Sequence, residues 1–547
     1  MTGEAVRRTG GTGAMIVADQ SEAIAFLARP ATHGAATVER IDTHGAAVFL
    51  AGPRAYKLKR AVKFSYMDFS TPELRRRACE AELALNRRTA PDLYLEVRSI
   101  ARADGGLAFG GGGPVVDWVV VMRRFDQDKL FDRLAGRGAL TPALMIELAG
   151  RIASFHDVAA PSVAFGGAAG VRAAIDGNAG NFALAEPGLF DAGAVAGLTE
   201  ASTAALARAT GLLDRRRAAG KVRRCHGDLH LRNICLDDGR PTLFDCIEFN
   251  DAIATIDVLY DLSFLLMDLE HRRLRALGNA VFNRYLDLRD EADGLAALPL
   301  FLSLRAAIRA HVGAAAAAAQ PQAAAARSLR QEARGYLTMA ADLLRPAPPA
   351  LVAIGGLSGT GKSTLAYGLA PGLGAAPGAR VLRSDVIRKR LMQVAPESRL
   401  PETAYRAEMT ERVYTTLRDE AAAALAAGHG VVADAVFGRP AERAAIAATA
   451  RAAGAPFAGL WLDAPVETLE ARIGARRGDA SDATAAVLRR QLGYDLGAIE
   501  WPRVDAGGGA ADTLAAARRR LAPLIQVKAA AGPGHLPLRS DRPDPDR

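Results

Sequence analysis

A single short loop constrains this chain more than any other feature of its sequence. It matches the pattern Gly-x4-Gly-Lys-Ser/Thr and consists of Gly356, Leu357, Ser358, Gly359, Thr360, Gly361, Lys362 and Ser363. The apolar run at 351–354 predicts a strand before it, and a helix is expected to begin at Ser363 and Thr364. The glycines let successive backbone N–H groups face an anion, and the helix N-terminus adds its positive end. We therefore expect residues 356 and 358–364 to bind ATP, with Lys362 at the β- and γ-phosphates and Ser363 at Mg²⁺.

The length and composition predict a folded protein of several domains. At roughly 150 residues per domain, 547 residues correspond to about two to four domains. No stretch approaches the roughly 18 uninterrupted apolar residues of a membrane helix, and the first residues lack the apolar core of a signal peptide. We expect a cytoplasmic protein without a membrane partner.

The formal charge of +9 does not indicate a nucleic-acid partner. Only eight of the 69 basic residues are lysines, and aromatic residues make up 6% of the chain. A nucleic-acid surface needs clustered basic residues with aromatic residues between them. The composition therefore favours a small-molecule partner.

The proline-rich stretch at 345–350 is the clearest boundary in the chain. Its three prolines remove backbone donors and block helix continuation. Strand patterns precede helical patterns before it, which is an α+β order, whereas short apolar runs alternate with helical segments after it, as in an α/β domain with a parallel sheet. We predict domains at 19–344 and 351–527, a linker between them, and disordered tails at 1–18 and 528–547.

In the second domain, Asp385 and Arg388 follow the next predicted strand and lie one helical turn apart. A carboxylate in that place can take a proton from a substrate hydroxyl while the arginine holds a phosphate. The pair resembles the Asp-x-x-Arg element of small P-loop kinases, which include polynucleotide 5′-hydroxyl kinases, gluconate kinases and chloramphenicol phosphotransferases. The resemblance implies a catalytic Asp385. The alternative is that Asp385 only caps a helix beginning at Val386.

Further acidic and basic residues extend the prediction for the second domain. Asp434 ends an apolar strand, where the P-loop fold places an acid that orients magnesium, although a capping or turn role is the alternative. Arg472 and Arg476 lie in a segment that resembles the start of a lid whose arginines close over the transferring phosphoryl group. Each arginine is alternatively a solvated surface residue.

The first domain carries a second pattern suited to phosphate chemistry. His226, Asp228 and Asn233 fit His-x-Asp-x4-Asn, and Asp245 follows after an apolar strand. Asp228 would receive the hydroxyl proton, while Asn233 and Asp245 would hold the magnesium that bridges the nucleotide phosphates. The pattern resembles the aminoglycoside phosphotransferase and choline kinase branch of the protein-kinase-like fold, with His-Gly-Asp in place of His-Arg-Asp.

Upstream, Lys57 and Lys59 alternate along a predicted strand and therefore share a face. We favour Lys57 as the residue that contacts the α- and β-phosphates. Its partner in kinases is a helix glutamate, for which Glu82 is our choice and Glu80 the alternative.

Two departures from the kinase pattern bear on the first domain. No Gly-x-Gly-x-x-Gly loop precedes Lys57, and Asp245 is followed by Cys-Ile-Glu rather than Phe-Gly. Glu248 is accordingly either a metal ligand or an exposed acid. An active phosphotransferase and a non-catalytic nucleotide-binding domain both remain open here.

The order of the two domains resembles that of bacterial proteins described as bifunctional aminoglycoside phosphotransferase/ATP-binding proteins of the AAA family, over about residues 20–525. The resemblance implies an enzyme that uses ATP and Mg²⁺ to phosphorylate a hydroxyl of an unidentified small molecule at one or both sites. One alternative is a P-loop ATPase that acts as a nucleotide sensor with a non-catalytic first domain. The other is a polynucleotide 5′-hydroxyl kinase. The sequence does not indicate an oligomeric state.

Overall fold

The computed structural model describes residues 15–522, except residues 44, 65 and 476–480. The described residues form two compact units. The first unit contains the residues up to Asp268 together with Leu300–Ala341, and the second contains Leu269–Pro299 together with the residues from Asp342 onward. Residues 269–299 thus belong to the second unit, although they precede the prolines at which we expect the chain to divide.

The secondary structure follows the order expected from the sequence, with strands first and helices next, and then an alternation of the two. The strands are β1 (Met15–Ile16), β2 (Val38–Asp42), β3 (Ala46–Ala51), β4 (Arg54–Lys59), β5 (Val62–Lys63), β6 (Tyr94–Ala103), β7 (Gly106–Phe109), β8 (Val115–Arg123), β9 (Val222–Arg224), β10 (Ile234–Asp237), β11 (Arg240–Leu243), β12 (Thr255–Asp257), β13 (Leu351–Gly356), β14 (Arg380–Arg383), β15 (Val431–Asp434), β16 (Phe457–Asp463) and β17 (Arg503–Asp505).

The α-helices are α1 (Ser21–Ala28), α2 (Pro30–His33), α3 (Pro72–Asn86), α4 (Phe131–Gly136), α5 (Pro142–Val158), α6 (Gly167–Ala183), α7 (Ala192–Ala218), α8 (Asp251–Ala254), α9 (Val258–His271), α10 (Arg275–Leu288), α11 (Leu298–Ala319), α12 (Ala323–Leu343), α13 (Lys362–Leu369), α14 (Ser384–Leu391), α15 (Ala407–Ala426), α16 (Pro440–Ala452), α17 (Val466–Gly474), α18 (Ala485–Leu492) and α19 (Ala510–Leu521). Short 3₁₀ helices lie at Gln127–Lys129, Leu231–Asn233, Ala292–Ala297, Ala370–Gly372 and Glu402–Tyr405.

The first unit contains a six-stranded antiparallel sheet in the order β2-β3-β4-β8-β6-β7. Both faces of the sheet are covered, because alternate residues of β8 enter different apolar clusters. Val119 and Val121 pack with residues of α1, whereas Val120 and Met122 pack in the cluster that contains Cys79 of α3. Lys57 on β4 is the register partner of Val120 and therefore points to the α3 side. The remainder of the unit is mainly helical, as the sequence predicts.

The second unit is built on a five-stranded sheet in the order β14-β15-β13-β16-β17, and all its strand pairs are parallel. Its central strand, β13, is buried along its whole length and leads directly into the glycine-rich loop and α13. Because ligands of such sheets bind beyond the carboxyl ends of the strands, the loop lies where the fold places a binding site. The fold class predicted for both parts of the chain, α+β kinase-like and then α/β with a parallel sheet, is confirmed.

β14 is the strand at one edge of this sheet, and helix α10 covers its outer edge, where no further strand pairs with it. The side-chain amide of Asn283 accepts a hydrogen bond from the Val381 N–H at 2.7 Å and donates one to the Ala379 carbonyl at 3.1 Å. Asp287 forms a buried ion pair with Arg380, with 2.6 Å between Oδ1 and Nη1. An uncovered edge strand exposes unpaired backbone groups, so α10 is part of the architecture of the second unit.

One run in the described residues, Ala292–Ala319, is long and apolar enough to cross a membrane by length and composition. In the structure, 67% of the most apolar 18-residue stretch of this run is buried, as in the core helix of a soluble protein. The alanine-rich sequence in this run is helical, in agreement with the high helix propensity of alanine.

His429 should make the second unit sensitive to mild acid. Its Nε2–H donates to the Leu295 carbonyl at 3.1 Å, and burial lowers its pKa from 6.5 to about 4. Between these two pKa values the unfolded chain binds a proton that the folded protein excludes. The contribution of His429 to the free energy of unfolding is therefore fully present above pH 6.5. It decreases by up to about 3 kcal/mol as the pH falls towards 4. Urea unfolding at a series of pH values measures this slope, and His429→Gln should flatten it; an unchanged slope in this variant would show that His429 is not the cause.

Candidate active sites

In the first unit, Lys57 joins the sheet to two carboxylates. Its Nζ lies 2.8 Å from Oε1 of Glu82 on α3 and 2.5 Å from Oδ1 of Asp245. Burial lowers the pKa of Lys57, but the charges of Asp245 and Glu82 outweigh burial and place the pKa well above its usual value. Burial raises the pKa of Glu82, whereas Lys57 and Lys59 lower it more strongly, to about 2. Glu80, the alternative to Glu82 as the partner of Lys57, instead pairs with Arg76 on the helix surface.

The loop after β9 brings the predicted base and a predicted metal ligand together. The Nδ2–H₂ group of Asn233 donates to Oδ2 of Asp228 at 2.8 Å and to its carbonyl at 2.9 Å. Nε2 of His230 lies 3.3 Å from the same carboxylate oxygen. Burial raises the pKa of Asp228, but His230, His226 and Arg309 together lower it by a larger amount. The pKa therefore lies below its usual value, and the carboxylate is ionised.

Asp261 on α9 binds the backbone of this loop and holds it in place. Its carboxylate accepts the backbone N–H groups of His226 at 3.2 Å and Gly227 at 2.8 Å, and it contacts Nε2 of His156 at 3.0 Å. Burial raises the pKa of the neighbouring Cys225 thiol well above its usual value, which disfavours the thiolate form. Through these contacts Asp261 is a structural brace for the loop.

Asp245 lies on a strained turn that is fixed by the rest of the first unit. Its backbone has a φ of +60°, and its N–H donates to the Tyr94 hydroxyl at 3.1 Å. The next N–H, of Cys246, donates to Oδ1 of Asn86 at 2.9 Å. Asp245 and Asn233 offer the oxygen donors that magnesium prefers, and the Asp245 side chain is 41% exposed. Both residues therefore fit a magnesium site.

In the second unit, the glycine-rich loop has the backbone geometry that its sequence requires. Gly356, Gly359 and Gly361 have φ values of +142°, +92° and +85°. A Cβ on Gly359 would lie 2.8 Å from the carbonyl oxygen of Leu469, so only glycine fits there. Within the loop, Thr360 Oγ1 donates to the Leu357 carbonyl at 2.8 Å.

The polar side chains of the loop are held near one carboxylate and one carbonyl. Ser363 Oγ donates to Oδ2 of Asp434 at 2.5 Å, which brings together the two residues predicted to act at magnesium. Nζ of Lys362 lies 3.0 Å from the Leu357 carbonyl oxygen. The hydroxyl and carboxylate oxygens of Ser363 and Asp434 suit magnesium. Thr364 is exposed, and the Ser358 N–H donates to Oε1 of Gln491, a loop contact with no local sequence signal.

Asp385, the predicted base of the second unit, and Arg388, predicted to hold a phosphate, both lie on α14. This helix begins at Ser384, so Asp385 lies in its first turn rather than at its N-cap. Burial and the charge of Asp434 raise the pKa of Asp385. Arg388 is 6% exposed; its Nη1 donates to the Ala404 carbonyl at 2.8 Å and its guanidinium lies 4.8 Å from the centre of the Tyr405 ring.

Of the two predicted lid arginines, Arg472 lies among the described residues. Arg472 donates from Nη1 to the Ala506 carbonyl at 2.7 Å and from Nη2 to the Gly508 carbonyl at 2.8 Å, so it ties α17 to the turn after β17. Arg472 is therefore a partly buried residue that binds backbone carbonyls rather than a solvated surface residue. Arg476 lies outside the described residues.

Two alanine substitutions test the close approach at the loop. Gly359→Ala and Gly361→Ala both place a side chain at positive φ, which costs roughly 1–2 kcal/mol. Only Gly359→Ala also meets backbone, because no atom lies within 4 Å of a Cβ at Gly361. We expect Gly359→Ala to lower the free energy of unfolding of the second unit clearly more than Gly361→Ala, measured by urea denaturation without nucleotide. Equal losses would contradict the packing described here.

Two family models match separate parts of the chain. The sequence model of the family described as "Phosphotransferase enzyme family" matches residues 54–297, and that described as "AAA domain" matches residues 351–494. Among solved structures, a choline/ethanolamine kinase family protein from Mesorhizobium loti is 16% identical, with a TM-score of 0.35 over 60% of this chain and 99% of its own. A gluconokinase from Sinorhizobium meliloti is 20% identical, with a TM-score of 0.24 over 32% of this chain and 94% of its own.

The similarity to one curated relative extends over both units. An uncharacterized protein of Mycobacterium tuberculosis is 30% identical over 479 residues, which is 85% of this chain and 92% of the relative. The chain therefore belongs to the family of this mycobacterial protein, and its own sequence joins a phosphotransferase family region to a P-loop kinase region of the AAA type.

Proposed function

We propose that this protein is an ATP-dependent phosphotransferase with two Mg²⁺·ATP sites, each of which transfers the γ-phosphoryl group to a hydroxyl of a small molecule. The observation that carries the proposal is that each unit combines three elements: a lysine for the phosphates, oxygen donors suited to magnesium, and a separate carboxylate for the acceptor proton. Phosphoryl transfer requires mainly positioning and charge stabilisation, and these three elements supply both.

In the first unit, Lys57 is proposed to contact the α- and β-phosphates, with Glu82 holding its ammonium group. Asn233 and Asp245 would hold magnesium, which supplies charge neutralisation of the phosphate oxygens. Asp228 accepts the hydroxyl proton as the acceptor oxygen bonds to the γ-phosphorus and the bond from that phosphorus to the β–γ bridging oxygen breaks. ADP leaves, and the proton stays on Asp228 until solvent takes it.

In the second unit, Gly356 and residues 358–364 are proposed to surround the phosphates, with Lys362 at the β- and γ-phosphates. Ser363 and Asp434 would hold magnesium, and Asp385 would take the acceptor proton. The raised pKa of Asp385 suits a general base, because a carboxylate with a higher pKa accepts a proton more readily. Arg388, buried beside Tyr405, is proposed to face the acceptor, and its Nε has no hydrogen-bond partner within the described structure.

The acceptor of the first unit is proposed to be a small alcohol that is not strongly cationic. A polycationic drug needs a pocket with many acidic residues, whereas the residues whose charges act on Asp228 include His230 and Arg309, which are basic. Arg305 also lies nearby, since it donates to the Gly227 carbonyl at 3.1 Å. Cations beside the base favour neutral or anionic acceptors.

Two substitutions separate the sites. Lys362→Ala removes the phosphate cation of the second unit, and Asp228→Ala removes the base of the first, so each should eliminate one component of Mg²⁺-dependent ATP turnover by at least about 10²-fold. The assay uses the full chain with a pool of hydroxyl metabolites, aminoglycosides and 5′-hydroxyl oligonucleotides. Lys129→Ala and Asp104→Ala, which alter exposed residues, are the matched controls.

The outcome distinguishes the proposal from the two alternatives. Loss of separate components supports two kinases, and the pool can then be resolved into single acceptors. If only Lys362→Ala reduces turnover and no acceptor is phosphorylated, the protein is a nucleotide sensor with a non-catalytic first unit. Phosphorylation of the oligonucleotides alone, with steep salt dependence, indicates a polynucleotide kinase.

A further inference from the structure

The second lysine of β4, Lys59, lies on the same face as Lys57 and is buried. Its side chain is 3% exposed, and its Nζ contacts the carboxylates of both Glu82 and Glu248. Glu82 and Glu248 are themselves 0% and 5% exposed. Burial lowers the pKa of Lys59, but the charges of Glu248 and Glu82 outweigh burial, so Lys59 stays an ammonium ion. Glu248 is therefore neither solvent-exposed nor free of charged neighbours.

Three consecutive residues after the Asp245 turn contact the sheet-containing part of the first unit. Glu248 contacts Lys59, and the Phe249 ring lies 6.0 Å from that of Tyr66 and 6.4 Å from that of Phe69. Asn250 donates from Nδ2 to the Tyr66 carbonyl at 3.3 Å. We call this set the Glu248 latch; it comprises Glu248, Phe249 and Asn250 with their partners Lys59, Tyr66 and Phe69.

The latch and the Lys57 contacts form one line of alternating charge. Along this line Asp245 contacts Lys57, Lys57 contacts Glu82, Glu82 contacts Lys59 and Lys59 contacts Glu248. The two lysines of one strand thus hold both ends of the segment 245–248. A buried carboxylate that loses its partner is strongly destabilising, so Glu82 needs a second cation whenever Lys57 turns towards nucleotide phosphates.

We propose that Lys59 and Glu248 are positioning residues of the first site. Their ion pair fixes the turn that carries Asp245 against β4, and Lys59 keeps Glu82 charged and in place when Lys57 binds phosphate. Neither residue touches the substrate or the metal. This inference rests on the function proposed for the first site, because it assigns Asp245 to magnesium there.

The magnesium requirement of the first site tests the inference. In the full chain carrying Lys362→Ala, Lys59→Met should raise the Mg²⁺ concentration for half-maximal Asp228-dependent turnover about tenfold, although Lys59 holds no metal. Glu248→Gln should act in the same direction, and Lys59→Arg should restore most of the wild-type value. Lys63→Met is the matched control, since Lys63 is 59% exposed and pairs only with Asp68 among the described residues.

Two results would overturn the inference. A lower unfolding midpoint of Lys59→Met with an unchanged Mg²⁺ requirement would make the pair merely structural. A raised requirement in Glu248→Gln alone, with Lys59→Met unaffected, would make Glu248 a metal ligand instead. 

A second readout keeps this test separate from the proposed function. Hydrogen exchange of the backbone amides at 245–250 needs no turnover, and the latch predicts exchange at least tenfold faster in both Lys59→Met and Glu248→Gln. If wild-type protein shows no Asp228-dependent turnover but exchange accelerates as expected, the proposed function fails while the latch stands. Unchanged exchange in both variants contradicts the latch itself.

Discussion

Buried charge that is neutralised by a specific partner is the constraint on which both candidate sites depend. A carboxylate or an ammonium group inside a protein is tolerated only when an opposite charge or several hydrogen bonds compensate for the lost water. Lys57 meets this condition through Glu82 and Asp245, and Asp261 meets it through two backbone N–H groups and His156. The charges of Lys57 and Asp261 are therefore compensated within the protein before any nucleotide binds.

The same constraint explains how each unit uses its fold. The antiparallel sheet of the first unit presents two lysines on one face, and helix α3 brings the compensating glutamate to that face. The parallel sheet of the second unit instead relies on the backbone, because a glycine-rich loop turns N–H groups towards an anion and leaves only Lys362 as the side-chain cation of the loop. Two different architectures thereby present a similar set of groups, a lysine cation together with oxygen donors.

Local sequence signals predicted the fold class and the glycine-rich loop well. The alternating lysines, and the strand before a loop with three glycines at positive φ, are short-range patterns, so a single sequence contains them. Contacts between residues that are distant in the sequence could not be predicted from these patterns. Lys59 contacts Glu248, which lies 189 residues further along the chain, and Asn283 of α10 contacts Val381, which lies 98 residues further along. Arg388 illustrates the same limit, because nothing near it in the sequence indicates that Ala404 and Tyr405 cover it.

We propose that the chain contains two separate nucleotide sites, and the number of nucleotides bound per chain tests this proposal most directly. Equilibrium dialysis with a non-hydrolysable ATP analogue and Mg²⁺ requires no acceptor. We expect two molecules per chain for the wild type, one for Lys362→Ala, one for Lys57→Met, and none for the double variant. A single molecule bound by the wild type, lost entirely in Lys362→Ala, would contradict the account and leave the first unit without a nucleotide site.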